Sequence, residues 1–316
     1  VIIIGAGPAG TGAAISLSKR GVKSVVILDR NDKTGGIPSW YRKKKGGVKT
    51  FINLSLKGFA SFGEDYAAKL DGSLKKSGVQ VKLNSQVIDI DADNKIISYV
   101  NPEEGKVNIS ADAIILATGS REKNQAERGW ISGSRPSGVF FTKQLLCLMD
   151  SRNVLPYRNP VIIGSDLVGY AASAKLKHAG ASGITIVDRS GFPACSLPAR
   201  LYFRLWANPR YKKINSGVLH IEGKKSVAGI KNDSELIPCD GIAICGELIP
   251  NSELALLGGL NVDTITRKPV RGKGNQLSKP GWFAAGNVLG GFQSAGWCYF
   301  NGARVAGKVA KFIGKG

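Results

Sequence analysis

Reactive side chains are scarce in this chain: five cysteines, two histidines and one methionine among 316 residues. The cysteines are odd in number and scattered (Cys147, Cys195, Cys239, Cys245, Cys298), which excludes a disulfide framework and points to a reducing, cytoplasmic setting. His178 and His220 stand far apart with no partner at metal-ligand spacing, so no metal site is expected, and no Ser-His-Asp grouping is suggested. No apolar run approaches the ~20 residues needed to cross a bilayer, and no charged-then-apolar leader marks secretion. The chain opens inside an apolar run, so a few residues are expected ahead of Val1. Acidic residues are also in deficit, 23 against 44 Lys and Arg, for a formal charge of +21. The densest basic run is Arg42 to Lys45. A solvated basic surface, an acidic protein partner, an anionic substrate and an anionic membrane surface all remain open. The last of these would make the location peripheral to the inner face of a membrane. Nucleic acid is not expected, because no stacking-aromatic pattern or RNA module accompanies the charge.

What the chain does have is glycine in a telling pattern. It begins VIIIGAGPAGTGAA and continues some twenty positions later with VVILDR. A β-branched run, Gly5-x-Gly7-x-x-Gly10, an Ala-rich helix and a second strand ending in Asp29 form the dinucleotide-binding βαβ unit. Gly5 makes the tight turn, Gly7 admits a pyrophosphate close to the backbone, and Gly10 lets the helix pack on the strand. The helix N-terminus presents unpaired N–H groups to phosphate, and Asp29 can accept from a ribose hydroxyl.

The same grammar returns in NPVIIGSDLVGYAASAKLKHAG and ITIVDR, ending at Asp188. Two such units predict two nucleotide-binding-type domains. ADAIILATGS, with Ala117, Thr118 and Gly119 at its end, and GWFAAGNVLGG, with Gly286-Asn287, read as two more buried strands running into turns. AGWCYFNGARVAGKVAKFI has helical periodicity.

These motifs, in this order, resemble the two-dinucleotide-domain FAD flavoproteins, the pyridine nucleotide–disulfide oxidoreductase superfamily, over essentially the whole chain. The resemblance implies an α/β fold of two Rossmann-like three-layer domains, in a thioredoxin-reductase-like layout without a C-terminal dimerisation domain. It implies that FAD lies on the first motif. Its contacts would come from Gly5, Gly7, Pro8, Ala9, Gly10, Asp29, Arg30, Gly36, Ile37, Val87, Ala117, Thr118, Gly119, Gly286, Asn287, Ser294 and Ala295. The family's usual Gly-Asp pair is Gly286-Asn287 here, a neutral replacement that keeps a hydrogen bond. The last helix would aim its N-terminal dipole at the flavin ring. Trp40 and Trp297 lie in the segments that flank the ring in relatives, with core packing as the alternative. GGIP, SGSRPSGVF, CDGIAICGELIPNSELA and FAAGNVL are similar to FAD subunits associated with glycerol-3-phosphate, opine and dye-linked amino-acid dehydrogenases and hydrogen cyanide synthase.

Disulfide reductases need a cysteine pair beside the flavin. After Gly35-Gly36 the chain reads IPSWYRKKK, and where thioredoxin reductases carry CxxC it reads GVFFTKQLLC, with Cys147 alone. Each cysteine is therefore expected to be a small hydrophobe rather than a redox thiol.

The second glycine motif keeps Gly164 and Gly169 but has Asp166 in the middle. That carboxylate adds bulk and negative charge where a pyrophosphate would approach, and it could cap the helix itself. The expectation is a weak or absent NAD(P)H site; the alternative is an Asp166 side chain turned to solvent with NAD still bound, and such a site would use Gly164, Gly169 and Asp188, the last favouring NAD over NADP. Composition places the domain boundaries at the Pro-containing SRNVLPYRNP and the polar RKPVRGKGNQLSKPG. This gives residues 1–154 and 274–316 for the FAD domain and 155–273 for the NAD(P)-binding-like domain.

The expected function is that of a FAD-dependent oxidoreductase serving as the flavoprotein subunit of a multi-subunit dehydrogenase. It would act on a small molecule and exchange electrons with a dehydrogenase or iron–sulfur partner. The alternatives are a self-contained NAD(P)H-dependent reductase and, more remotely, a tRNA-associated flavoprotein. No residue acquires an unambiguous acid–base role, so no catalytic residue is assigned.

Overall fold

A computed structural model describes residues 1–43, 47–52, 60–189, 195–214, 217–232, 235–291 and 293–314. Lys44 and Lys45 of the basic run lie outside the described residues. The chain divides into two compact units. The first comprises residues 1–40, 51–121 and 248–316, and the second residues 41–50 and 122–247.

The first unit is built on a five-stranded parallel sheet in the order Trp282–Ala284, Ile114–Leu116, Ile2–Ile4, Val26–Leu28, Gln80–Lys82. Its three central strands are runs of Ile, Leu and Val because both faces are covered. Ile3, Ile27 and Ile115 enter one core with the first motif helix, Pro8–Lys19, and the C-terminal helix, Ala295–Ile313. Ile2, Ile4, Leu28 and Leu116 enter a second core on the opposite face. That core is closed by the antiparallel meander Gln86–Asp91, Ile96–Asn101, Gly105–Ser110. The two helices touch at glycines. A Cβ on Gly12 would stand 2.2 Å from the Tyr299 carbonyl oxygen, and one on Gly302 would stand 1.9 Å from that of Ala9.

The second unit repeats the plan with Val139–Phe141, Ile242–Ile244, Val161–Ile163, Thr185–Asp188 and Arg210–Lys213 as its parallel sheet. Its motif helix is Leu167–His178, and a four-stranded sheet, Ile131–Gly133, Leu219–Glu222, Gly229–Asn232 and Glu235–Pro238, shares its core.

These units divide the chain differently from the composition-based boundaries at 154/155 and 273/274. Residues 122–154 belong with the second unit because Val139–Phe141 pairs as the edge strand of its sheet. Residues 248–273 belong with the first, where Ala255 and Leu260 are buried beside Ile90. The prolines mark loops, and a loop can occur inside a unit as readily as between units.

Candidate functional site

In the first unit, four sequence-named segments converge on the loop Gly5–Ala9. Gly5 has φ +111°, and a Cβ there would lie 2.4 Å from the Ala117 carbonyl oxygen. A Cβ on Gly36 would lie 2.8 Å from the Gly7 Cα, and one on Gly286 2.6 Å from the Ala9 Cβ. Asp29, 7 % exposed, accepts the Ala6 N–H at 2.6 Å on Oδ2 and two donors of Asn31 on Oδ1, at 2.9 and 2.7 Å. A carboxylate has about four acceptor positions, so Oδ2 keeps one for a ribose hydroxyl. Gly7 differs from the other motif glycines in having room for a Cβ, which would meet only the Gly36 Cα, at an ordinary contact distance of 3.8 Å. Gly7 is also the N-cap residue of the motif helix, with Pro8 in the first turn and no side chain capping the end. The result is a backbone cradle at a helix N-terminus, the arrangement that takes a phosphate.

The other expected contacts sit around this cradle. Thr118 is clamped by Asn251: its Oγ1 donates to the Asn251 carbonyl at 2.7 Å, and Asn251 Nδ2 returns a bond to the Thr118 carbonyl at 2.9 Å. Sequence reasoning missed Asn251, although it stands in the quoted PNSELA run, because the pair is 133 positions apart. Gly286 donates its N–H to Asn301 Oδ1 at 2.8 Å. Asn287 Oδ1 accepts from Gln293 N–H at 3.1 Å, so its amide braces the following turn. Ser294 caps the last helix by accepting from Trp297 N–H at 3.2 Å, and Ala295 is that helix's first residue. Arg30 and Ile37 are exposed. Val87 is buried in the core, leaving only its backbone for a ligand. Trp40 lies under the Lys33 ammonium, 4.8 Å from the ring centroid, and Trp297 is exposed, so neither is a core residue.

The second unit reproduces the loop geometry. A Cβ on Gly164 would lie 2.4 Å from the Cys245 carbonyl oxygen, and one on Gly169 2.2 Å from that of Gly164. Ser165 donates its N–H to Asp188 Oδ2 at 2.7 Å, as Ala6 does to Asp29. The two loops part at the middle position. Asp166 is the N-cap of the helix, and its Oδ1 accepts the N–H groups of Val168 at 3.0 Å and Gly169 at 3.1 Å. Its Oδ2 lies 2.4 Å from where a Cβ of Gly246 would stand. The protein's own carboxylate therefore holds the helix N-terminus that the first unit leaves open.

Asp166 belongs to a charged cluster that sequence spacing did not reveal. Arg128 is buried. Its Nη2 donates to the carbonyls of Cys245 at 3.1 Å and Gly246 at 2.7 Å, and its Nη1 is 3.2 Å from Glu247 Oε1. Burial raises the pKa of Asp166, opposed by the two cap bonds and Arg128. Burial pushes Glu122 up to about 7, against a Thr142 hydrogen bond, with Asp166 adding to the rise and Arg128 opposing it.

None of the five cysteines is in a disulfide. Burial pushes Cys195 and Cys239 up to about 11 and Cys298 up to about 12, so these thiols stay protonated at neutral pH. His178 is exposed beside Trp206, and His220 Nδ1 shares a 2.8 Å bond with Ser132 Oγ.

Two parallel-sheet units, one with an open glycine loop and one with a self-capped loop, define a protein of the two-domain nucleotide-binding class. The chain matches the pyridine nucleotide-disulphide oxidoreductase family over residues 1–302 and belongs to it. The family is one of FAD-binding, NAD(P)-dependent oxidoreductases. The residues of the first loop fit FAD: an uncapped helix start, space at Gly7 and an acid at the next strand end.

Among relatives, a probable ferredoxin reductase of Castellaniella defragrans is 27 % identical over 273 residues, covering 83 % of this chain and 61 % of its own length. The A-subunit of opine oxidase from Rhizobium meliloti is 23 % identical over 347 residues, covering 98 % of this chain and 61 % of its own. The chain thus spans 61 % of the length of each of these relatives. Among solved structures, thioredoxin reductase of Lactococcus lactis superposes with a TM-score of 0.75 at 21 % identity, covering 99 % of this chain and 98 % of that one, a likeness of fold.

Proposed function

We propose that this protein is the flavin-bearing subunit of a multi-subunit dehydrogenase, exchanging electrons with a partner rather than drawing them from NADH. The observation that carries this reading is the Asp166 carboxylate, held by the N–H groups of Val168 and Gly169 where a dinucleotide phosphate would otherwise be received. Gly7, Ala9 and Gly10 would hold the pyrophosphate of FAD, with Asp29 on its adenosine ribose. When bound, FAD supplies the two-electron chemistry. The chain's own part is to anchor and orient. Asn251 fixes the Thr118-Gly119 turn, Asn301 fixes Gly286, and the N-terminus of the last helix offers a positive dipole end to developing negative charge. The similarity to the A-subunit of opine oxidase supports a role within a larger assembly.

A second reading, a self-contained NAD(P)H-dependent reductase, is favoured by the otherwise complete loop of Gly164, Gly169 and Asp188 and by the ferredoxin reductase relative. Anaerobic titration of the yellow protein with NADH, NADPH, glycerol 3-phosphate and proline, followed by flavin absorbance, separates the two. Slow bleaching by NADH even at millimolar concentration is expected. Fast bleaching at micromolar NADH would replace the first reading with the second.

A further inference from the structure

The stretch from Arg189 to Ile221 contains no Asp or Glu, yet carries Arg189, Arg200, Arg204, Arg210, Lys212 and Lys213. Within it lies one short helix, Leu197–Arg204, with Pro198 in its first turn and Leu205 as its C-cap. The helix buries Ala199 and Phe203 at 3 % and 0 % exposure, while Leu197, Leu201 and Leu205 remain 56 %, 52 % and 82 % exposed and Trp206 37 %. The leucines recur every fourth residue, so they form one stripe that drifts slowly around the helix axis. The same geometry sets Arg200 and Arg204 along one margin of that stripe. Scattered exposed apolar residues are ordinary, but three aligned leucines ending at a tryptophan are a patch that calls for a cover.

Charge and size choose among covers. A second copy would bring this acid-free, cationic stretch against itself. Four partly exposed side chains also fall well short of the roughly 800 Å² per partner of a stable protein interface. An anionic lipid surface needs no complementary shape. It accepts aliphatic side chains at the acyl boundary, tolerates tryptophan at the head-group level, and attracts flanking basic residues. Arg204, Arg210 and Lys213 are exposed to serve it. Among the described residues no helix is long and apolar enough to cross a membrane, which leaves peripheral seating as the mode.

We propose that the helix Leu197–Arg204, extended by Leu205 and Trp206, seats the protein on anionic membranes. Its leucines enter the acyl boundary and Arg204 lies among the head groups.

The test is flotation of the FAD-loaded chain with vesicles of phosphatidylcholine alone and of phosphatidylcholine mixed with phosphatidylglycerol. Two variants, Leu201→Glu/Leu205→Glu and Arg204→Glu, are compared at equal flavin content, with light scattering for molecular mass. Wild type is expected to float with the mixed vesicles only, less so at high salt. Each variant should lose about tenfold or more in vesicle affinity at unchanged mass, since each reverses attraction at the head groups or acyl boundary. The proposal is overturned if wild type ignores the mixed vesicles. It is equally overturned if the leucine variant binds as well as wild type, or if that variant lowers the mass of a wild-type oligomer, which would make a protein the cover.

Discussion

Replacing Asp166 by glycine should open the second unit to NADH. The substitution is mild for the fold: a capping Asp exchanged for Gly costs only about a few tenths of a kcal/mol. It also withdraws a carboxylate whose ionised form is penalised by burial. Two N–H groups now bonded at 3.0 and 3.1 Å become available to a phosphate oxygen. Two unit charges about 4 Å apart repel by about 4 kcal/mol at an effective dielectric near 20. If screening and relaxation remove two-thirds of that, about 1.4 kcal/mol remains, which is about tenfold in affinity. Arg128 stays beside Glu247 in the variant and adds attraction for phosphate.

Asp166→Asn separates charge from bulk. It removes the charge but keeps a capping side chain beside Gly246, and it should give a smaller gain than glycine. The assay is a set of anaerobic NADH titrations of wild type and both variants at matched flavin content, with stopped-flow rates of flavin bleaching. Micromolar NADH affinity in wild type, unchanged or weakened in Asp166→Gly, would refute the reasoning, because it would mean that the dinucleotide already coexists with the carboxylate.

Other outcomes follow from the same geometry. Gly7→Glu has room for its Cβ beside the Gly36 Cα, so it should fold and purify colourless; a fully yellow protein would displace FAD from this loop. Gly10→Ala, whose Cβ would lie 1.8 Å from the Gly5 carbonyl oxygen, should fail at folding instead, seen as loss of a cooperative thermal transition. Alkylation of accessible cysteines should leave flavin reduction by the true donor unchanged, and a loss tracking Cys147 would reinstate a redox thiol. Glu122 has its folded pKa raised from 4.5 to about 7. Its contribution to stability is therefore fully present below pH 4.5 and is lost as pH rises through about 7, on the order of 3 kcal/mol. Melting temperatures of wild type and Glu122→Gln from pH 4.5 to 8 should diverge in favour of the variant as pH rises, and a constant difference would count against the assignment.

The glycine loops were legible in the sequence because contact distances force them. Gly5, Gly10, Gly164 and Gly169 each stand where a Cβ would strike a carbonyl oxygen at 2.4 Å or less, so their spacing is an imprint of strand–helix packing. The central parallel strands were legible for a similar reason, since burial on both faces leaves little but Ile, Val and Leu, whereas the polar edge strands Gln80–Lys82 and Arg210–Lys213 carry no such signal. The unit boundaries were not. Membership of 122–154 is decided by the pairing of Val139 with Ile242, a choice among partners distant in sequence that composition does not record. Asn251 and Arg128 were hidden in the same way, for the groups they hold lie 133 and 117 positions away.

Asp166 shows how far local chemistry reaches. An aspartate directly before a helix is a strong cap wherever it occurs, and the loop around it is fixed by the two flanking glycines. The sequence therefore places the carboxylate at the helix start and offers the cap as one of two readings, the other a side chain turned to solvent; the structure shows the cap. The structure adds the surroundings: Gly246, which has φ +71° and leaves room for Oδ2, and the buried Arg128 whose charge offsets the carboxylate. A glycine at 246 that yields space to Asp166, and an arginine that bonds the carbonyls of Cys245 and Gly246, make the carboxylate part of a matched set. A solvent-facing aspartate would need neither. Asp166→Gly should then free the N–H groups of Val168 and Gly169 for a phosphate without a second substitution, with the buried Arg128 charge acting on the site through the protein rather than by contact.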